Sequence, residues 1–134
     1  MAKYLLDTDW AINYLRGKTT YVKAIDEFRK EGIAISTISI AELYEGVYRS
    51  PNPEKKEITL LNFLEGLKIL TVTKPVSRIF GQKRAELHKM GFTVNDMDLL
   101  IACIAEYYGL TILTNNRRHF EKVPGIGELI SIPV

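Results

Sequence analysis

Three acidic residues, Asp7, Glu42 and Asp98, stand where carboxylates could do chemistry together. Asp7 directly follows the apolar run 4–6, and the other two stand near the predicted amino ends of helices. Strand carboxyl ends and the amino ends of the helices that follow them share one edge of a parallel sheet, so we expect these carboxylates to meet there. Three further oxygen ligands are within reach: Asp9, Asp96 and Asn116.

Carboxylates that converge on one point repel each other, so they stay ionised together only around a cation. The chain has one cysteine, Cys103, and two histidines, so it offers no thiolate cluster. Oxygen ligands of this kind select Mg²⁺ or Mn²⁺ rather than zinc. Such an ion keeps positions open for water and phosphate, which predicts hydrolysis of phosphodiester bonds by metal-activated water.

Each acidic residue also has an ordinary structural interpretation. Asp7 could be a solvated turn residue, and Asp98 could complement a helix dipole. Glu42 completes the pattern Ser39-Ile40-Ala41-Glu42, which predicts a capping box at the start of a helix. The three positions taken together, each at the expected ligand edge, favour a site.

Polar residues after the fourth predicted strand could support that site. Thr114 can hydrogen-bond a carboxylate and fix its orientation. Arg117 and Arg118 could contact phosphate near the site, although an exposed basic pair is also ordinary surface. We predict no catalytic role for His88 or His119, because neither belongs to a motif that would give it a partner.

The apolar runs and glycine stops predict strands that alternate with helices. Strands are expected at 4–6, 33–35, 68–72, 111–114 and 129–132. The most apolar helix is expected over 99–108, with Asn95 as its cap. This alternation is typical of an α/β protein with a parallel sheet and helices on both faces.

Composition sets broader bounds. The chain has 134 residues and a formal net charge of +2, so any attraction for nucleic acid must be local. We predict a single domain over 1–134 with no membrane span, and the lone cysteine suits a reducing cytoplasm.

Several sequence segments match a known family in order and spacing. They are Leu6-Asp7-Thr8, Ser39-Ile40-Ala41-Glu42-Leu43, Asp96-Met97-Asp98-Leu99-Leu100-Ile101-Ala102, and Thr114-Asn115-Asn116 before Phe120. In these segments the chain resembles the PIN domain, and within it the VapC-like ribonuclease toxins of toxin–antitoxin pairs.

The resemblance implies a three-layer α/β/α fold around a mainly parallel sheet of about five strands. It implies an Mg²⁺- or Mn²⁺-dependent endoribonuclease whose metal ligands are Asp7, Glu42 and Asp98. Asp96 resembles an accessory acid, and Asn116 falls where many PIN domains carry a fourth aspartate. The resemblance also implies a homodimer and an antitoxin whose tail wraps the toxin and blocks the site.

Three other functions fit parts of the sequence. A haloacid-dehalogenase-like phosphatase would use Asp7 and Asp9 as nucleophile and acid, but it needs a late acidic pair where Thr114-Asn115-Asn116 stands. A phosphorylated receiver needs an aspartate after the third strand, where Leu70-Thr71-Val72-Thr73 stands. A non-catalytic PIN-like protein-binding module remains open, although the intact acidic set argues against it.

Overall fold

A parallel sheet runs through the middle of the computed structural model, which describes residues 1–133. Within them the sheet has five strands in the order β3-β2-β1-β4-β5, and every neighbouring pair is parallel. The strands are β1 (Tyr4–Leu6), β2 (Ile33–Ser36), β3 (Lys68–Leu70), β4 (Thr111–Leu113) and β5 (Leu129–Ile130). The predicted parallel α/β architecture is therefore confirmed.

Seven α-helices connect these strands within the described residues. They are α1 (Thr8–Leu15), α2 (Thr19–Phe28), α3 (Thr37–Tyr48), α4 (Pro53–Leu64), α5 (Lys74–Met90), α6 (Asp96–Tyr108) and α7 (Arg117–Glu121). Across residues 1–133, every helix is too short or too polar to cross a lipid bilayer.

Two apolar cores lie on opposite faces of the sheet, because successive strand side chains point to opposite faces. Leu5 of β1 belongs to the core beneath α5, α6 and α7, whereas Leu6 belongs to the core beneath α1 to α4. Both side chains are fully buried. The chain thus forms three layers, with the sheet between two groups of helices, as the resemblance implied. Cys103 of α6 lies in the first core, as predicted.

The beginning of α3 differs from the prediction. The capping box at Ser39 is wrong, because the cap is Ser36, whose Oγ accepts a hydrogen bond from the backbone N–H of Ser39 at 3.1 Å. Glu42 therefore lies in the second turn of α3, not in its first. Ser36 can cap the helix because it ends β2 in an extended conformation.

Other boundaries also shift. The helix expected over 99–108 begins earlier, at Asp96, because Asn95 caps it by accepting from the N–H of Met97 at 2.8 Å. The third strand ends at Leu70, so Val72 lies outside it. Thr114 follows β4 rather than ending it, and the short helix α7 was not predicted at all.

Candidate active site

Asp7 stands at the carboxyl end of β1 and is the cap of α1. Its Oδ1 accepts a hydrogen bond from the N–H of Thr8 at 2.8 Å, and its Oδ2 accepts one from the hydroxyl of Thr114 at 2.7 Å. Its backbone N–H donates to the carbonyl of Leu113 at 3.0 Å, which extends the pairing of β1 with β4. Asp7 is only 2% exposed, so the ends of two central strands fix its orientation.

Thr114 and its surroundings are equally constrained. Its buried hydroxyl donates to Asp7 and accepts from the N–H of Asn116 at 2.9 Å. Its carbonyl accepts from the hydroxyl of Ser131 at 2.6 Å. Thr114 is thereby placed to orient the Asp7 carboxylate, and the segment after β5 supports it.

Asn115 organises the neighbouring carboxylate, Asp9, a role that was not predicted. Its backbone N–H donates to Asp9 Oδ2 at 2.9 Å. Its side-chain oxygen accepts from the indole N–H of Trp10 at 2.8 Å and from the N–H of Ile132 at 3.0 Å. Its side-chain amide donates to the Ile132 carbonyl at 2.7 Å. One polar side chain therefore joins α1, the end of β4 and the segment after β5.

A series of buried hydroxyls leads to Glu42. The Thr8 hydroxyl donates to Glu42 Oε1 at 2.7 Å, and its oxygen lies 2.9 Å from the hydroxyl oxygen of Ser39. The Ser36 hydroxyl donates in turn to Ser39 at 3.4 Å. Ser36 and Ser39 are fully buried, and Thr8 is 7% exposed. This series links Glu42 to the amino end of α1, directly beside Asp7.

The two aspartates at the beginning of α6 lie in different surroundings. The side chain of Asp98 is 18% exposed, and its Oδ2 lies 3.0 Å from Nδ1 of His119. The side chain of Asp96 is 78% exposed and forms an ion pair with Arg84 of α5. The contact of His119 was missed because it joins residues 21 positions apart, which no local pattern in the sequence reveals.

Burial and neighbouring charges perturb the acids at this edge. The pKa of Asp7 is raised to about 7, mainly by burial and then by the negative charges of Asp9 and, to a smaller extent, Asp98, while the hydrogen bonds from Thr114 and Thr8 act against this rise. Burial also raises the pKa of Asp9 above its usual range. The charges of Asp9 and Asp98 therefore lie close enough to Asp7 to oppose its ionisation.

The chemistry of these three carboxylates, Asp7, Asp9 and Asp98, fits a hard divalent cation. The donors are oxygens, and a positive charge beside Asp7 would relieve the repulsion that raises its pKa. Within residues 1–133, no three acidic, histidine or cysteine side chains stand close enough together to enclose one ion. In the arrangement described here, Glu42 is hydrogen-bonded to Thr8, and Asp98 is hydrogen-bonded to His119.

The residues that follow Thr114 line a concavity of about 380 Å³. Its lining comprises Asn115, Asn116, Arg117, Arg118 and His119. Arg117 is held by the chain itself, because its Nη1 lies 3.2 Å from both the Leu129 carbonyl and the Ser131 hydroxyl. Asn116 and Arg118 are exposed at the surface.

Known proteins resemble this chain over nearly its full length. The PIN domain family matches residues 4–126. The tRNA(fMet)-specific endonuclease VapC of Salmonella typhimurium is 33% identical, over 94% of this chain and 96% of the relative.

Two solved structures share the fold closely. VapBC from Salmonella typhimurium, a DNA-bound complex, has a TM-score of 0.89 at 32% identity and covers 98% of each chain. VapBC2 from Rickettsia felis, bound to a DNA fragment from its promoter, has a TM-score of 0.89 at 30% identity, over 97% of this chain and 98% of that one.

Proposed function

This chain belongs to the VapC ribonucleases of the PIN-domain family, and we propose that it cuts RNA at the site formed by Asp7, Glu42 and Asp98. The observation that carries the site assignment is the buried carboxylate of Asp7, whose pKa is raised by burial and by the charges of Asp9 and Asp98. A protein that keeps mutually repelling acids at one sheet edge sacrifices stability, which is typical of a functional site.

Ribonucleases with a PIN domain generally depend on a divalent metal ion. In our proposal that ion is Mg²⁺ or Mn²⁺, and Asp7, Glu42 and Asp98 hold it. Asp96 is an accessory ligand at most, because Arg84 already pairs with it. Asn116 would contribute a neutral oxygen instead of a charge, so the proposed set favours fewer ions than a set with a fourth aspartate would.

The bound ion would supply Lewis-acid chemistry, which neutralises phosphate charge and makes water a better nucleophile. The residues of the chain have separate tasks. The hydroxyl of Thr114 orients the carboxylate of Asp7, and the hydroxyl of Thr8 orients that of Glu42. The backbone N–H of Asn115 orients the carboxylate of Asp9. Because these donors are already in place, the carboxylates need little rearrangement when they bind.

RNA would lie over the concavity beside the site. Arg118 is exposed there and can approach a phosphate, whereas Arg117 is already bonded to the chain and is the weaker candidate. The net charge of +2 makes such a local contact more important than the overall field.

The proposal is tested by incubating purified protein with a panel of single-stranded RNAs and tRNAs. The panel includes initiator tRNA, because the Salmonella relative is a tRNA(fMet)-specific endonuclease. We expect cleavage with Mg²⁺ or Mn²⁺, none with EDTA, and a loss of at least about a hundredfold in Asp98→Asn, since removing one charged ligand weakens both metal binding and phosphate neutralisation.

A matched variant shows whether removing a carboxylate charge outside the site leaves cleavage intact, whereas a contaminating nuclease would also cut in the Asp98→Asn preparation. Glu54→Gln changes a carboxylate in the first turn of α4, outside the site, and should cut at the wild-type rate. Cleavage that Asp98→Asn retains would contradict the site. Absence of cleavage by folded wild-type protein on every RNA would favour a non-catalytic binding module instead.

We further propose that the chain is the toxin of a toxin–antitoxin pair, because the two solved structures are VapBC complexes. An apolar groove of about 380 Å³ runs between α1, α3 and α4, and Glu42 stands at its wall beside Ile12, Leu43, Val47 and Leu60. An antitoxin segment seated there would reach the site. Co-expression with the antitoxin should suppress RNA cleavage.

The homodimer, the cytoplasmic location and the single domain over 1–134 stay predictions. Light scattering of the purified chain would measure the mass of the assembly, and two copies per particle is the expected result. Cell fractionation would locate the protein, and a single cooperative unfolding transition would indicate one domain.

A further inference from the structure

His119, on the short helix α7, lies against the carboxylate of Asp98. Its Nδ1 is 3.0 Å from Asp98 Oδ2, although the two residues are 21 positions apart. We propose that His119 is a positioning residue, which holds Asp98 in the orientation that binds the divalent ion. This inference rests on the metal site proposed above.

The backbone that carries His119 is fixed on both sides. Phe120, the next residue, is fully buried in the core shared with α6. Arg117, two residues earlier, bonds to the Leu129 carbonyl and to the hydroxyl of Ser131. The N–H of His119 also donates to the Asn116 carbonyl at 3.0 Å. The backbone that carries the imidazole is therefore held in place beside Asp98, even though the side chain of His119 is 59% exposed.

The hydrogen bond leaves part of Asp98 free for an ion. Oδ2 lies 3.0 Å from Nδ1 and would accept from an N–H there, whereas Oδ1 accepts no hydrogen bond from any residue between 1 and 133. An N–H at Nδ1 is present in one neutral tautomer and in the charged ring, so the contact does not require a charged histidine. Metal-binding carboxylates are commonly oriented by such a donor.

The neighbouring charges explain why Asp98 needs a restraint. Its negative charge raises the pKa of Asp7, so the two carboxylates repel each other in the absence of a cation. A side chain in the first turn of a helix could relieve that repulsion by rotating toward solvent. The bond from His119 opposes this rotation and keeps Asp98 near Asp7, where an ion would bind both.

The test compares Mn²⁺ affinities by calorimetric titration of the full chain. We expect His119→Ala to bind Mn²⁺ about tenfold more weakly, which is the usual effect of removing an outer hydrogen-bond partner. His119→Asn should bind within about threefold of wild type, because the amide nitrogen of Asn is attached to the same carbon as Nδ1 of His and can donate from a similar place. Lys122→Ala, at the end of α7, is the matched control and should leave the affinity unchanged.

A second measurement needs no metal. The chain has only two histidines, so nitrogen NMR of the neutral rings resolves each, and His88 on α5 is an internal reference. Wild-type His119 should carry its proton on Nδ1, because the partner of a ring nitrogen sets the tautomer. In Asp98→Asn the tautomer signal of His119 should move toward that of His88.

Three results would overturn the inference. Unchanged Mn²⁺ affinity in a folded His119→Ala protein with weakened RNA binding would assign His119 to RNA. Equal weakening in the Ala and Asn variants would show that the N–H donor is not what matters. An Nδ1 that carries no proton in the wild type would remove the hydrogen bond itself. Absence of Mn²⁺ binding in the wild type would instead refute the proposed metal site, while the NMR result would still decide whether His119 holds Asp98.

Discussion

At the carboxyl edge of the sheet, single acidic residues are held where burial and neighbouring charges oppose ionisation. Asp7 is buried beside Asp9 and within range of Asp98, yet two hydrogen bonds hold it where it is. Its position after β1 could be predicted from the sequence, since an apolar run that stops at a carboxylate is a local pattern. The hydrogen-bond partners of the site residues could not be predicted, because His119 contacts Asp98 and Asn115 contacts Ile132 only after folding.

Asp7 should make the stability of the metal-free chain depend on pH. Its pKa is about 7 in the folded protein and about 3.9 in an unfolded chain, so the folded state binds more protons between these values. The stability that protonated Asp7 supplies is complete below about pH 4 and is lost as the pH rises through about 7. In EDTA we therefore expect the wild-type Tm to fall between about pH 5.5 and pH 8, as measured by calorimetry.

The Asp7→Asn variant isolates this effect, because it keeps the shape of the side chain without its charge. Its Tm should vary less over the same interval, and at about pH 8 it should be more stable than wild type by about 1 to 2 kcal/mol. Parallel profiles for the two proteins would show that another group controls the pH dependence.

At the scale of elements, the sequence predicted the order of strands and helices better than their ends. Short apolar runs and glycine stops located all five strands of residues 1–133. Two serines, Ser36 and Ser39, could each cap α3, and the residue at which β2 ends decides between them. Helix α7 was missed because five residues are too few to display a helical period.

The cap of α3 should matter for stability. Ser36→Ala removes the bond to the N–H of Ser39 and leaves that group buried without a partner, which should cost about 1 to 2 kcal/mol of unfolding free energy. Asn52→Ala removes the exposed cap of α4, where water can replace the lost bond to Lys55, and should cost less than about 1 kcal/mol. Urea unfolding of both variants would measure the difference, and equal costs would contradict this account.

At the scale of the whole molecule, one ion pair joins parts of the chain that no local sequence pattern connects. The ammonium of Lys83 in α5 lies 2.7 Å from Glu106 Oε1 in α6 and also donates to the carbonyl of Pro124. Lys83 is 7% exposed and belongs among the few buried polar residues of residues 1–133. A lysine in an amphipathic helix is normally solvated, so its burial could not be foreseen.

Removing that lysine should destabilise the protein. Lys83→Met leaves the Glu106 carboxylate and the Pro124 carbonyl without their cation and should cost about 2 kcal/mol. This is less than for a fully buried pair, because the side chain of Glu106 is 37% exposed. The double variant with Glu106→Leu should recover at least about 1 kcal/mol in urea unfolding, since it removes the unpaired charge. A double variant no more stable than the single one would contradict this explanation.

The bond of Asn115 to Ile132 also has a consequence for the time at which the protein becomes active during its synthesis. Asp7 and Asp9 leave the ribosome early, but Asn115, which holds Asp9, is itself held by the backbone of Ile132. Ser131, which supports Thr114, emerges at the same late stage. A growing chain therefore cannot hold Asp9 and Thr114 in place until residue 132 has emerged, so nascent copies would lack the complete proposed site while they are still on the ribosome.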